Sequence, residues 1–266
     1  MKKIFFLFIS TFLLFTGVAF ASIEINPLKI ELEISDNKVY SGYLTIKNHG
    51  DESVSISLSP GDYRYMFSAN TIYPESKKAL PSCKSWISFK PDKINLDKNA
   101  TQQIAYTINV PNAQDNEYVA CFLIDEERPE PLIEKNEAGQ VNIKITPRIS
   151  IPVYVAIKDS AEYSCEISDF TTLISNDKKS VELSLTLYND GTAHIRPVTK
   201  IVILDEYGTV VNKSSAGKSL PMFAGFGEKL KMIWKPRFTG KYTAIATVDI
   251  GKAPLIQKRI SFEVKK

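Results

Sequence analysis

The sequence predicts an all-β chain, built as two antiparallel β-sandwich domains in tandem. Two observations carry this. Apolar residues recur at steps of two through many short runs, the period of a strand with one buried face. Clusters of Asn, Asp, Gly and Pro separate those runs roughly every 8–12 residues, which is the turn spacing of a sandwich. Few segments show the three-and-four spacing of a helix. The pattern runs through once and then repeats, placing one domain at 22–158 and a second at 159–266.

The first domain reads as about seven short strands, the count of an immunoglobulin-like sandwich. Ile23 and Ile25 open a strand that breaks at Pro27 and restarts with Leu28, Ile30, Leu32 and Ile34. Leu44 and Ile46 face inward on the next strand, and Asn48-His49-Gly50-Asp51 turns into Val54, Ile56 and Leu58. Asn and Gly tolerate the positive φ that such a turn uses. Residues 62–82 are irregular and read as a long connection. Short strands follow around Trp86 and around Ile94 and Leu96. Then come Ile104, Tyr106 and Ile108, and next Tyr118, Ala120, Phe122 and Ile124 on one face. In the second domain, strands are expected at 181–187, 198–204, 230–234, 240–248 and 257–264. Two pieces of local grammar recur: Leu44-x-Ile46-x-Asn48-x-Gly50 matches Leu185-x-Leu187-x-Asn189-x-Gly191, and Tyr118-x-Ala120 matches Tyr242-x-Ala244.

The stretch 141–157, VNIKITPRISIPVYVAI, holds the longest alternation. It exceeds the usual strand of about 5–6 residues. Pro147 and Pro152 cannot donate ladder hydrogen bonds, so parts of it belong at an edge, a bulge or a crossing between sheets. The stretch divides at Pro147 into 141–145 and 149–157, with Arg148 at the junction.

Residues 1–21 read as a secretory signal peptide: Lys2 and Lys3, an apolar run, then Ala19-Phe20-Ala21. Its removal leaves 245 residues and lowers the formal net charge from +3 to +1, too little to attract nucleic acid or anionic lipid. The expected location is the periplasm or outside the cell. No second run is apolar for long enough to span a membrane. Of the three cysteines, Cys83 and Cys121 are the preferred disulfide pair, with three reduced thiols as the alternative. Their spacing fits no zinc pattern. His49 and His194 lie at turns and read as solvated. Trp86 and Trp234 read as core. No nucleophile motif, phosphate loop or metal-ligand spacing occurs, so neither an enzyme nor a cofactor is expected.

In order along the chain, Leu44-x-Ile46-x-Asn48, Ser85-Trp86-Ile87 with Pro91 and Leu96, Val110-Pro111 before Tyr118-x-Ala120, and the alternation from Val141 to Val153 resemble the PapD-like periplasmic, pilus-assembly chaperones. In the second domain Gly240-Lys241-Tyr242-x-Ala244 and Phe262-x-Val264 add to the likeness. The resemblance implies an exported protein that binds extended or incomplete β-subunits by strand addition. It implies Val141, Ile143 and Ile145 as the strand lent to the partner, and Arg148 with Lys29 as cations for the partner's terminal carboxylate. The family's basic-proline ending is replaced here by Tyr154-Val155-Ala156-Ile157. A surface-associated protein- or glycan-binding module is the alternative reading.

Overall fold

A computed structural model describes residues 23–35, 37–63, 71–72, 80–113, 116–127, 132–136, 139–143, 147–177, 179–216 and 220–265. The expected signal peptide lies outside them. Among the described residues the only helical element is a single 3₁₀ turn, Lys84–Trp86.

The first sandwich comprises β1 (Ile23–Asn26), β2 (Ile30–Ile34), β3 (Lys38–Asn48), β4 (Val54–Gly61), β6 (Ile87–Lys90), β7 (Lys93–Leu96), β8 (Thr101–Val110), β9 (Glu117–Glu127) and β12 (Arg148–Ile157). One sheet runs β1-β3-β8-β6 and the other β2-β12-β9-β4-β7. The alternating residues meet between them: Leu44, Ile46, Ile56, Ile104, Ile108, Phe122, Ile124, Ile151 and Val153 are all buried in one core. The first strand breaks at Pro27 as expected, and its two halves enter different sheets. β1 pairs antiparallel with β3, whereas β2 pairs parallel with β12.

The second sandwich holds β13 (Glu166–Ile174), β14 (Val181–Tyr188) and β17 (Gly227–Trp234) in one sheet. The facing sheet has β15 (Val198–Asp205), β16 (Val210–Ala216), β18 (Gly240–Asp249) and β19 (Ile256–Val264). Its core includes Leu183, Leu185, Ile203, Tyr242, Ala244, Ala246 and Val248. Trp234 is buried there, edge-on to Tyr242 at 4.9 Å. Trp86 is half-buried against Tyr118, with ring centroids 4.3 Å apart.

The irregular segment after β4 crosses between the sandwiches. β5 (Thr71–Ile72) pairs with Glu228 and Gly227, adding an edge strand to the second domain's sheet. Tyr63 and Leu80, at either end of this excursion, pack on the second core. A cut of the chain at 158 therefore does not separate the folded units.

The stretch 141–157 is two strands. Among the described residues β11 (Gly139–Ile143) pairs only with β10 (Leu132–Asn136), in a separate two-stranded sheet, and β12 begins at Arg148. Pro147 marks the break, since it has no N–H for either ladder.

Candidate functional site

β12 sits between β9 and β2, but the two neighbours cover it unequally. β9 pairs along it from Arg148 to Ala156, while β2 pairs only from Val153 to Ile157. Hydrogen bonds fix which backbone groups face which way. The Pro147 carbonyl accepts from Glu126 N–H at 3.0 Å, and Ile157 N–H donates to Asn116 at 2.8 Å, both on the β9 side. Lys158 N–H donates to Ile34 at 3.0 Å, on the β2 side. With the alternation of a strand, even-numbered residues present their backbone to β2. Where β2 is missing, the N–H and C=O of Arg148 and Ser150 face away from the sheet without a strand partner among the described residues. Pro152 has no N–H to offer the next rung, and Pro27 turns the neighbouring chain into the other sheet. These two prolines give the bare edge its upper limit.

The side chains expected at this site are distributed as follows. Val141 and Ile143 lie on β11, opposite Glu134 and Leu132 of β10. Ile145 lies outside the described residues. Arg148 does not stand free for a partner's carboxylate. Its Nε and Nη2 bond Asp125 Oδ1 and Oδ2 at 2.6 and 2.7 Å, directly across the β9–β12 ladder. That guanidinium holds the Asp125 carboxyl below its usual range. Lys29 bonds Glu31 at 2.9 Å. It precedes Ile30, the partner of Val153, so it is level with Pro152. At about 3.3 Å per residue that is about 13 Å along the strand from Arg148. The structure does not bring these two cations together.

Cys83, Cys121 and Cys165 are all free thiols, which corrects the expected Cys83–Cys121 pair. Cys83 belongs to the first core, beside Ala120 and Phe122, whereas Cys121 lies between those two on β9 and points to the opposite face of the sheet. The Cys121 thiol faces the Asp62 carbonyl at 3.5 Å. Burial pushes the Cys83 thiol up to about 12 and the Cys165 thiol up to about 11, so neither is a ready nucleophile.

The polar cluster that the sequence reading missed lies between the domains. His194, expected to be a solvated turn residue, has a side chain only 11% exposed. Its Nδ1 lies 2.5 Å from Glu117 Oε1, and its backbone N–H donates to Glu117 Oε2 at 2.8 Å. The ring stacks on Tyr154 at 4.2 Å, and its Nε2 faces Glu31 at 3.6 Å. Arg196 donates to Glu31 from Nε and Nη2 at 3.1 and 2.9 Å, and its guanidinium lies over the Tyr154 ring. Lys252 reaches Glu33 at 2.7 Å and covers the Tyr163 ring at 3.9 Å. The three acids come from β2 and β9 of the first domain, and the three bases from the second. Burial opposes ionisation of Glu31, but hydrogen bonds from Lys29 and Arg196 outweigh it and bring the carboxyl down to about 2. Burial and the Tyr63 hydroxyl push the Tyr154 phenol up. These groups border a cleft of about 330 Å³. Among the described residues, no group of three or more His, Cys, Asp or Glu is placed to hold a metal ion.

No protein-family model matches the sequence, and neither does any curated protein. Solved structures of similar fold are PapD-like fimbrial chaperones. The class 5 fimbriae chaperone CfaA is 14% identical, with a TM-score of 0.45 over 89% of this chain and 98% of that one. The E. coli chaperone DraB is 12% identical, with a TM-score of 0.42 over 92% and 98%. CsuC, solved with the tip adhesion subunit CsuE of Acinetobacter baumannii Csu pili, is 13% identical, with a TM-score of 0.43 over 91% and 98%. The likeness is one of fold.

Proposed function

We propose that this chain is an exported, periplasmic chaperone-like protein that takes an extended segment of an incomplete β-subunit onto β12, in the assembly of a pilus or other surface structure. The observation that carries this reading is the bare edge of β12 at 148–151. Its outward backbone groups are ready for strand addition, in which main-chain bonds give affinity and alternate side chains give selectivity. In sequence the edge follows the strand bearing Val141 and Ile143, the two residues whose alternation a client strand would read. Arg148 then acts as a clamp across the β9–β12 ladder through Asp125, and a terminal carboxylate would have to displace that partner.

The test is recovery of partner proteins from the native host by wild type, Ser150→Pro and Ile143→Asp. Ser150→Pro deletes an N–H that no described strand uses and leaves the β9 ladder intact. Its recovery should fall at least tenfold, with unchanged thermal stability. Equal recovery by all three proteins overturns strand addition at this edge.

A further inference from the structure

The crossing of the first strand at Pro27 leaves a second bare edge, at the other end of the same sandwich. β3 pairs with β8 over Lys38–Lys47, yet β1 covers only Thr45–Asn48 on its other side. Asn48 N–H donates to Ala100, on the β8 side, so even-numbered residues of β3 turn their backbone toward β8. The backbone groups of Val39, Ser41 and Tyr43 therefore face outward, and among the described residues no strand meets them.

Sheet edges invite pairing with other chains, and folded proteins blunt them by shortness, charge, proline or bulges. Most other edges of these sandwiches are so treated. β1, β6 and β7 have four residues each. β13 and β16 carry register shifts. On β19, Lys258 bonds the Ile167 and Ser168 carbonyls of β13. β17 carries Lys229 and Lys231, β2 is tied by Glu31 and Glu33, and Pro152 interrupts the edge of β12. Residues 38–44 have none of these devices beyond Lys38 at the end, and their register with β8 is unbroken. Val39 and Tyr43 are 63% and 64% exposed on the outer face, apolar where a solvated strand would be polar.

We propose that this edge joins a second copy of the chain, β3 to β3, antiparallel about a two-fold axis at Ser41. The edge is complementary to itself. Ser41 would face its own counterpart, and Val39 would face Tyr43 of the second copy twice over. That gives about six backbone hydrogen bonds and two β-branched–aromatic pairs. The slot also has the right length. It is bounded by Asn26 of β1, level with Thr45, and the incoming strand turns off at Asn37, which has φ +53. The contact is isologous and closes as a dimer. It leaves the bare edge of β12 open, because the two edges lie at opposite ends of the crossing.

Sedimentation velocity over a concentration series, with the full exported chain, reads the dimer directly. Wild type should shift from monomer to dimer. Ser41→Pro, which removes an N–H outside the β8 ladder, and Tyr43→Lys should each raise the dissociation constant at least tenfold. A wild-type protein monomeric to millimolar concentration overturns the proposal. So does a dimer indifferent to Ser41→Pro.

Discussion

The two sandwiches use the same hairpin device for different ends. In the first, the buried Asn48 amide donates to the carbonyls of Glu52, Leu96 and Asp97, and its oxygen accepts from Gly50 N–H. In the second, the buried Asn189 amide donates to the carbonyls of Ala193 and Met222, and its oxygen accepts from Gly191 N–H. After that the hairpins diverge. His49 stands in solvent beside Glu24 at 2.7 Å. The loop after Asn189 instead carries His194 and Arg196 into the first domain. Gly191 packs so close to the Glu162 and Ser164 backbone that a Cβ would collide with both. One asparagine lock closes a domain, and the other holds two domains against each other. The local chemistry is the same, and the neighbours decide what it does.

This contrast can be tested from its strongest point downward. Glu117→Ala strips the part-buried His194 backbone N–H of its acceptor and removes the carboxylate beside its ring, whose side chain is 6% exposed, and leaving such a donor unsatisfied costs about 3 kcal/mol. Urea unfolding should show that loss, whereas His49→Ala should leave the midpoint where it is. Asn48→Ala and Asn189→Ala each orphan buried carbonyls and should each cost about 3 kcal/mol. Each sandwich holds one tryptophan, Trp86 or Trp234, so fluorescence in Trp86→Phe and Trp234→Phe backgrounds assigns each loss to a domain. Equal effects on both reporters from Asn48→Ala would show that the halves unfold as one.

A smaller effect follows from Glu31. Its folded carboxyl is lowered from 4.5 to about 2, so its contribution is present above pH 4.5 and is lost as pH falls through about 2. Glu31→Gln should flatten that limb of the stability curve, and most of the change should appear in domain coupling, read as interdomain residual dipolar couplings. Arg148→Ala should matter least. The Arg148 side chain is 58% exposed, and a pair so placed contributes less than about 1 kcal/mol to stability.

Alternation made the long strands legible. Tyr242, Ala244, Ala246 and Val248 share a buried face as read, and so do Ala120, Phe122 and Ile124. Strands with broken alternation were not legible. β13 slips register between Ile167 and Asp169, β16 is half polar and slips opposite Ile203 and Leu204, and β5 is two residues long. The interdomain cluster was hidden for a different reason. Glu31 and Glu33 alternate with the apolar residues of β2, and nothing near them in sequence marks them as paired, because Arg196 stands 165 positions from Glu31 and Lys252 stands 219 from Glu33. His194 was misread in the same way, with Glu117 77 positions distant. Sequence period reports which face a side chain takes; what waits on that face is a matter of topology.

Pro152 shows how little it takes to size an opening. A valine there would restore one amide hydrogen, let the neighbouring strand climb another rung, and shorten the vacancy beside it. The prolyl ring works as a stop on a ruler. Below it lie four residues, 148–151, whose outward backbone groups no described strand takes, about 10 Å from first Cα to last and room for a short extended peptide.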